Sequence, residues 1–230
     1  MAQALDLGVH EHVSIVGGGG KTTVLHALGD QLNGSVVLTC TTKMGHDQHR
    51  GRPVLLDPSP DELVDAATGQ PVMVWKRIQG QKAVGVSPEA CDEWFSRVDH
   101  VVIEADGSRR RPFKAPADYE PVVPGTTTTM VSVIGADALG RVIADQCHRP
   151  LRVAALAECS AYERLSPRAA ATVLTHERGA LKECPADARF VVVVTKVDDA
   201  TREMVDEMAS AVVEISPGTG VVLLASSSED

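Results

Sequence analysis

Val13-Ser14-Ile15-Val16-Gly17-Gly18-Gly19-Gly20-Lys21-Thr22-Thr23 is the stretch on which the fold turns. A short apolar run ends in four glycines, and a segment with helical spacing continues from Thr22 to Leu32. Continuous β-branched runs suit strands buried on both faces. Successive glycines let backbone N–H groups turn inward around an anion without Cβ clashes. The helix start adds the positive end of its dipole. This strand, loop and helix therefore predict a cradle for the phosphates of a nucleotide, with Gly17, Gly18, Gly19 and Gly20 supplying amides beside Thr23. Lys21 is expected to reach the β- and γ-phosphates, and the Thr22 hydroxyl to ligate Mg²⁺.

Working outward, similar apolar runs recur at Val36–Thr39, Val72–Lys76, Val101–Ala105, Met130–Ile134, Phe190–Val194 and Val221–Leu224. Helix signals lie between them. Ser59-Pro60-Asp61-Glu62 offers an N-cap, a first-turn proline and a capping-box acid, and Ser87-Pro88 and Ser166-Pro167 repeat the Ser-Pro start. Met204, Met208 and Ala211 stand at helical spacing within Ala200–Glu214. The alternation predicts a three-layer α/β domain, a mostly parallel sheet with helices on both faces, over residues 1–230. Residues 70–87 are open to a second reading as an edge hairpin, and 106–128, with four prolines, reads as an ordered loop.

Composition narrows the function classes. The formal net charge of −9 disfavours nucleic acid and anionic membranes as partners. Five cysteines without a CxxC pair read as reduced thiols rather than a disulfide frame or zinc site. The first twelve residues lack a basic-then-apolar signal, and no apolar run reaches membrane-spanning length, so a cytoplasmic protein is expected.

Three further motifs gather around the cradle. Glu104 and Asp106 close the run Val101–Ala105, two residues apart and so on one face, at the strand end that opens onto a ligand crevice. Either could hold Mg²⁺ or orient a nucleophile, with turn capping as the plain alternative. Arg109, Arg110, Arg111 and Lys114 follow at once and suit a γ-phosphate or an anionic substrate; a solvated charge run is the alternative. Thr42 and Lys43, after the second apolar run, could face the same anion, with capping of the strand end as the alternative. Thr195-Lys196-Val197-Asp198 resembles the guanine-reading [N/T]KxD element, Asp198 accepting the two donors of the base; it could equally cap the helix at 200–214. Ala225-Ser226-Ser227 stands where a second base-contacting loop is expected.

The spacing Gly17-x-x-Gly20-Lys21-Thr22-Thr23 is the shortened phosphate loop of Mur-ligase-like enzymes, with Ile15 where the usual pattern has glycine; 230 residues leave little room for that family's further domains. More specifically, the chain resembles the YqeC family, named as accessory proteins of selenium-dependent molybdenum hydroxylases. The resemblance is carried by Ile15–Thr23, Thr41-Thr42-Lys43-Met44, Ile103–Arg109, Lys114-Ala115-Pro116 and Glu120–Pro124. It continues through Val133–Asp137, His148-Arg149-Pro150 and Thr195–Asp198. It implies a P-loop NTPase fold and a part in maturing a molybdenum or selenium cofactor or hydroxylase. The expected activity is that of a Mg²⁺-dependent NTPase or phosphotransferase using GTP or ATP, GTP slightly favoured. Catalysis would rest on Lys21, Asp106 and Arg109. A GTP-gated binding module for a metalloenzyme partner is the alternative.

Overall fold

The structure, a computed structural model, describes residues 1–226. The chain opens with strand β1 (Glu11–Gly17), helix α1 (Lys21–Gln31), β2 (Val36–Cys40), a short β3 (Lys43–Gly45) and β4 (Val54–Leu56). Next come α2 (Pro60–Ala67), β5 (Val72–Trp75), β6 (Arg77–Gln79), β7 (Lys82–Val84), α3 (Pro88–Phe95) and β8 (His100–Glu104). The second half holds β9 (Phe113–Lys114), β10 (Thr129–Gly135), α4 (Ile143–Gln146), β11 (Cys147–His148), α5 (Pro150–Leu156) and α6 (Pro167–Thr175). It ends with β12 (Arg189–Val197), α7 (Arg202–Ile215) and β13 (Gly220–Ala225).

Eight strands form one sheet in the order β13-β12-β10-β1-β8-β2-β5-β4, and every pairing is parallel. The all-apolar runs explain this, since β2, β5, β8 and β10 are buried along their whole length. From β1 to β2 and from β2 to β4 the chain steps one way along the sheet; its other five steps run the opposite way. Right-handed crossovers then demand that the two sets of connections cover opposite faces. The packing agrees. On one face Val24, Leu25 and Leu28 of α1 meet Val13, Ile15, Leu38 and Val133. On the other, Leu63 of α2 and Trp94 of α3 meet Val37, Val74 and Val101, while Leu174, Val205 and Met208 of α6 and α7 meet Ile134, Val192 and Val194. The three-layer α/β architecture expected from the sequence is the observed one.

Ser59, Ser87 and Ser166 cap α2, α3 and α6 as their Ser-Pro context predicts. Residues 70–87 depart from the edge-hairpin expectation. Val72–Trp75 is wholly buried and lies inside the main sheet between β2 and β4, because its four apolar side chains need cover on both faces. The hairpin is the exposed β6–β7 pair, which joins β3 in a separate three-stranded antiparallel sheet. The stretch 106–128 is a loop apart from β9, which pairs with β11. Among the described residues no helix is long and apolar enough to cross a membrane.

Candidate functional site

The glycine loop leaves β1 in the middle of the sheet and is packed from behind. Gly17 N–H donates to Asp106 Oδ2 at 3.1 Å, Gly18 N–H to the Val133 carbonyl at 2.8 Å and Gly19 N–H to the Arg111 carbonyl at 3.1 Å. A Cβ on Gly18 would lie 2.5 Å from the Arg111 oxygen, and one on Gly19 would collide with the Gly135 backbone. The glycines are therefore required first by close approach of the 111–113 segment and the end of β10. Three of the four amides expected to cradle an anion are spent on protein acceptors. What remains is the start of α1, where Gly20 is the N-cap and no side chain among the described residues caps the helix. The N–H groups of that first turn have no intrahelical partner and are left for a ligand.

Beside them opens a cavity of about 580 Å³ lined by Gly19, Gly20, Lys21, Thr22 and Thr23. Lys43, Lys82, Arg109, Arg110 and Lys196 add cations to its wall, against two carboxylates among the described residues, Asp47 and Glu104. On a chain of net charge −9 this is a local reversal of sign. Lys21 is almost fully buried; its Nζ donates to the Gly17 carbonyl at 2.8 Å and lies 3.2 Å from Asp106 and 3.7 Å from Glu104. Burial alone would lower its pKa, but Asp106 and Glu104 outweigh it, and the ammonium is held above the usual lysine value. Thr22 Oγ1 donates to Glu104 Oε2 at 2.8 Å, and both residues line the cavity. Two hard oxygen donors at one point suit Mg²⁺, which keeps several waters and is commonly completed by substrate phosphates.

Asp106 lies elsewhere than its expected metal and nucleophile roles would place it. Strand β8 ends at Glu104, and the Asp106 carboxylate, 2% exposed, turns beneath the glycine loop instead of into the large cavity. There it faces Lys21, the Gly17 N–H and Lys114, whose Nζ is 2.9 Å away. Lys114 is buried as well, donates to the Gly107 carbonyl at 2.7 Å and pairs with Glu120, which pairs in turn with Arg149. Lys21, Asp106, Lys114, Glu120 and Arg149 thus form a ladder of alternating charge under the loop. The void beside Asp106 and Lys114 measures about 10 Å³, too small for a phosphate, and the Lys114 ammonium faces protein oxygens there.

The other expected residues divide. Lys43, Arg109 and Arg110 line the large cavity, and both arginines hold left-handed backbone. Arg111 turns away to the Asp145 carbonyl. Thr42 does not line the cavity, and its buried hydroxyl has no hydrogen-bond partner among the described residues. Thr195 Oγ1 donates to the Gly19 carbonyl, fastening β12 to the loop. Lys196 reaches the cavity and pairs with Asp137 at 2.7 Å. Asp198 stays outside it. Its Oδ1 accepts from the Thr201 N–H at 2.9 Å and hydroxyl at 2.7 Å, bonds that hold its carboxyl below the usual carboxylate range. Ser226 donates its N–H to the Val197 carbonyl, and Ser227 lies outside the described residues. Cys40 is pushed up to about 12 by burial, which makes it an inert thiol. Sequence reasoning missed Gln81 and Lys82, which the β6–β7 hairpin brings to the cavity, and assigned no role to Glu120 and Arg149 beyond the family resemblance.

Comparison with known proteins agrees with this site's sequence. The family model described as YqeC protein matches residues 13–151, a span from β1 through the glycine loop to the start of α5. The uncharacterized protein YqeC of Escherichia coli (strain K12) is 34% identical over 203 residues, covering 83% of this chain and 78% of that protein. The chain belongs to the YqeC family. No solved structure matches it.

Proposed function

We propose that this YqeC-family chain binds a nucleoside triphosphate with Mg²⁺ at the N-terminus of α1 and acts as a P-loop NTPase or phosphotransferase. The observation that carries the reading is the cationic cavity of about 580 Å³ built over the uncapped start of α1, with Lys21 in its floor and Thr22 against Glu104. Helix amides and Lys21 bind the phosphate chain, and Arg109 and Arg110 steady its outer end. Thr22 and Glu104 would hold Mg²⁺, which supplies neutralisation of the charge that develops on the transferred group. Asp106 is a positioning residue here. By accepting from Gly17 and facing Lys21 it sets the loop and the lysine in register.

GTP is placed slightly ahead of ATP on Thr195–Asp198, with Lys196 at the cavity wall in support. Guanine reading also requires Asp198 to exchange Thr201 for the base. The part in molybdenum or selenium cofactor or hydroxylase maturation rests on the family resemblance. A GTP-gated binding module with little turnover is the second reading. It is favoured by the ladder, because an anion that draws Lys21 away from Asp106 disturbs a chain of ion pairs ending at the half-buried Arg149.

Titration with ATP and GTP, with and without Mg²⁺, tests the proposal on wild type, Lys21→Ala and Thr22→Val. Loss of one charge-assisted hydrogen bond should weaken binding roughly tenfold or more in Lys21→Ala, and Thr22→Val should abolish the Mg²⁺ dependence. Undiminished binding by Lys21→Ala would overturn the phosphate site, and equal ATP and GTP affinity would retire Asp198 as a base reader. Turnover stimulated by a small molecule marks the enzyme; nucleotide-dependent capture of a metalloenzyme partner marks the module.

A further inference from the structure

A second cavity, about 460 Å³, lies on the other side of the 109–111 turn. Arg109, Arg111, His148 and Arg149 line it with Tyr119 and Cys147, and no carboxylate among the described residues does. Its walls come from separate parts of the chain that the fold draws together. Arg111 is anchored on the Asp145 carbonyl. His148 lies in β11, in register with Lys114 of β9. Arg149 is fixed by Glu120, donates to the Tyr119 hydroxyl at 3.2 Å and lies over that ring at 5.7 Å. Arg109 lines this cavity and the large one alike.

The geometry points to a second anion site here, built for the phosphate-monoester end of a small co-substrate, with Arg109 as the wall shared with the large cavity. Three guanidinium groups around one space are a strong, geometrically specific match for a doubly charged oxyanion. Glu120 offsets one of them from behind and leaves the excess charge of two facing the opening. The field is visible at His148, whose pKa falls to about 4 through burial and then through the Arg149, Lys114 and Arg109 cations, with Glu120 opposing. An imidazole kept neutral by burial and by surrounding cations is a group that a bound dianion would help to protonate. That the ligand is a co-substrate rests on the nucleotide reading of the large cavity; that it is an anion does not.

The test is an NMR titration of the His148 ring in the full chain with inorganic phosphate and no nucleotide, against chloride at matched ionic strength. The resonance is identified by its loss in His148→Gln. The expected result is a saturable shift, with the His148 pKa rising from about 4. The double variant Arg109→Gln/Arg111→Gln, both side chains exposed in the wild type, should bind phosphate at least tenfold more weakly with its other histidine signals unchanged. A ring unmoved by phosphate, or moved equally by chloride or in the double variant, overturns the site. A chain that passes this test yet binds no triphosphate would sink the reading of the large cavity while leaving the anion site in place.

Discussion

Lys114 shows at the scale of one residue how this site is held together. Its ammonium is buried between Asp106 and Glu120 and also donates to Gly107. A buried ion pair contributes little net stability over an apolar replacement, but removing one partner leaves the other charge uncompensated. Lys114→Met should therefore lose about 3–5 kcal/mol in urea unfolding. Lys114→Met/Glu120→Gln should recover part of that loss, because a buried carboxylate left with Arg149 as its remaining cationic partner becomes neutral. A loss under about 1 kcal/mol would mean that the ladder tolerates a gap. Much of this region was legible beforehand: Glu104 and Asp106 announce themselves as acids closing an apolar run, and the cations after them as partners for an anion. Which cation turns inward was not legible, since a charge run carries no periodicity that separates the exposed Arg110 from the buried Lys114. Glu120 and Arg149 stand in motifs that carry the family resemblance, but nothing local to either announces the other as its partner. They meet because β9 and β11 pair across more than thirty residues of chain.

At the scale of elements, the glycine loop serves two purposes, and the sequence displays only one. A tetraglycine before Lys-Thr-Thr reads as an anion cradle, yet three of its amides satisfy Asp106, Val133 and Arg111. Two glycines with similar backbone separate the causes. Gly19 has φ +76° with the Gly135 backbone against it; Gly69 has φ +82°, and a Cβ placed on it would meet nothing within 4 Å among the described residues beyond its chain neighbours. Gly69→Ala should cost about 1 kcal/mol in unfolding free energy, the conformational penalty alone. Gly19→Ala should cost at least about 2 kcal/mol more, because its methyl group must displace β10. Equal losses would show that the loop can back away, and its glycines would then belong to the ligand. The same limit explains the hairpin. Val72–Trp75 could be recognised as a strand from its apolar run, but whether it lay inside the sheet depended on β4. That three-residue element, Val54–Leu56, sits between prolines and is too short to show a period.

For the molecule as a whole, topology decides where chemistry can occur, and burial decides the pH at which the fold survives. The chain leaves β1 toward the α1 face, whereas its neighbours β8 and β10 lead to the opposite face, so the crevice opens at the carboxyl end of β1. The same central position buries His12, one residue before the run that decides the fold, where it is 0% exposed with Nδ1 2.8 Å from Thr126 Oγ1. Burial, opposed in part by Asp92, lowers its pKa from 6.5 to about 4. The folded chain then refuses a proton that the unfolded chain accepts below 6.5, so stability is full above that value and falls as the pH drops toward 4. From pH 7.5 to pH 5, where ordinary carboxylates remain largely ionised, His12 alone should remove about 2 kcal/mol. Lys21, shifted upward, stays protonated throughout that window and adds nothing to the slope. His12→Gln keeps a polar group near Thr126 but has no proton to refuse. Urea unfolding at both pH values should therefore show wild type losing about 2 kcal/mol more than the variant. Parallel losses would place the acid sensitivity elsewhere, with His26, His100 and His148, whose pKa values are also lowered, as the remaining sources.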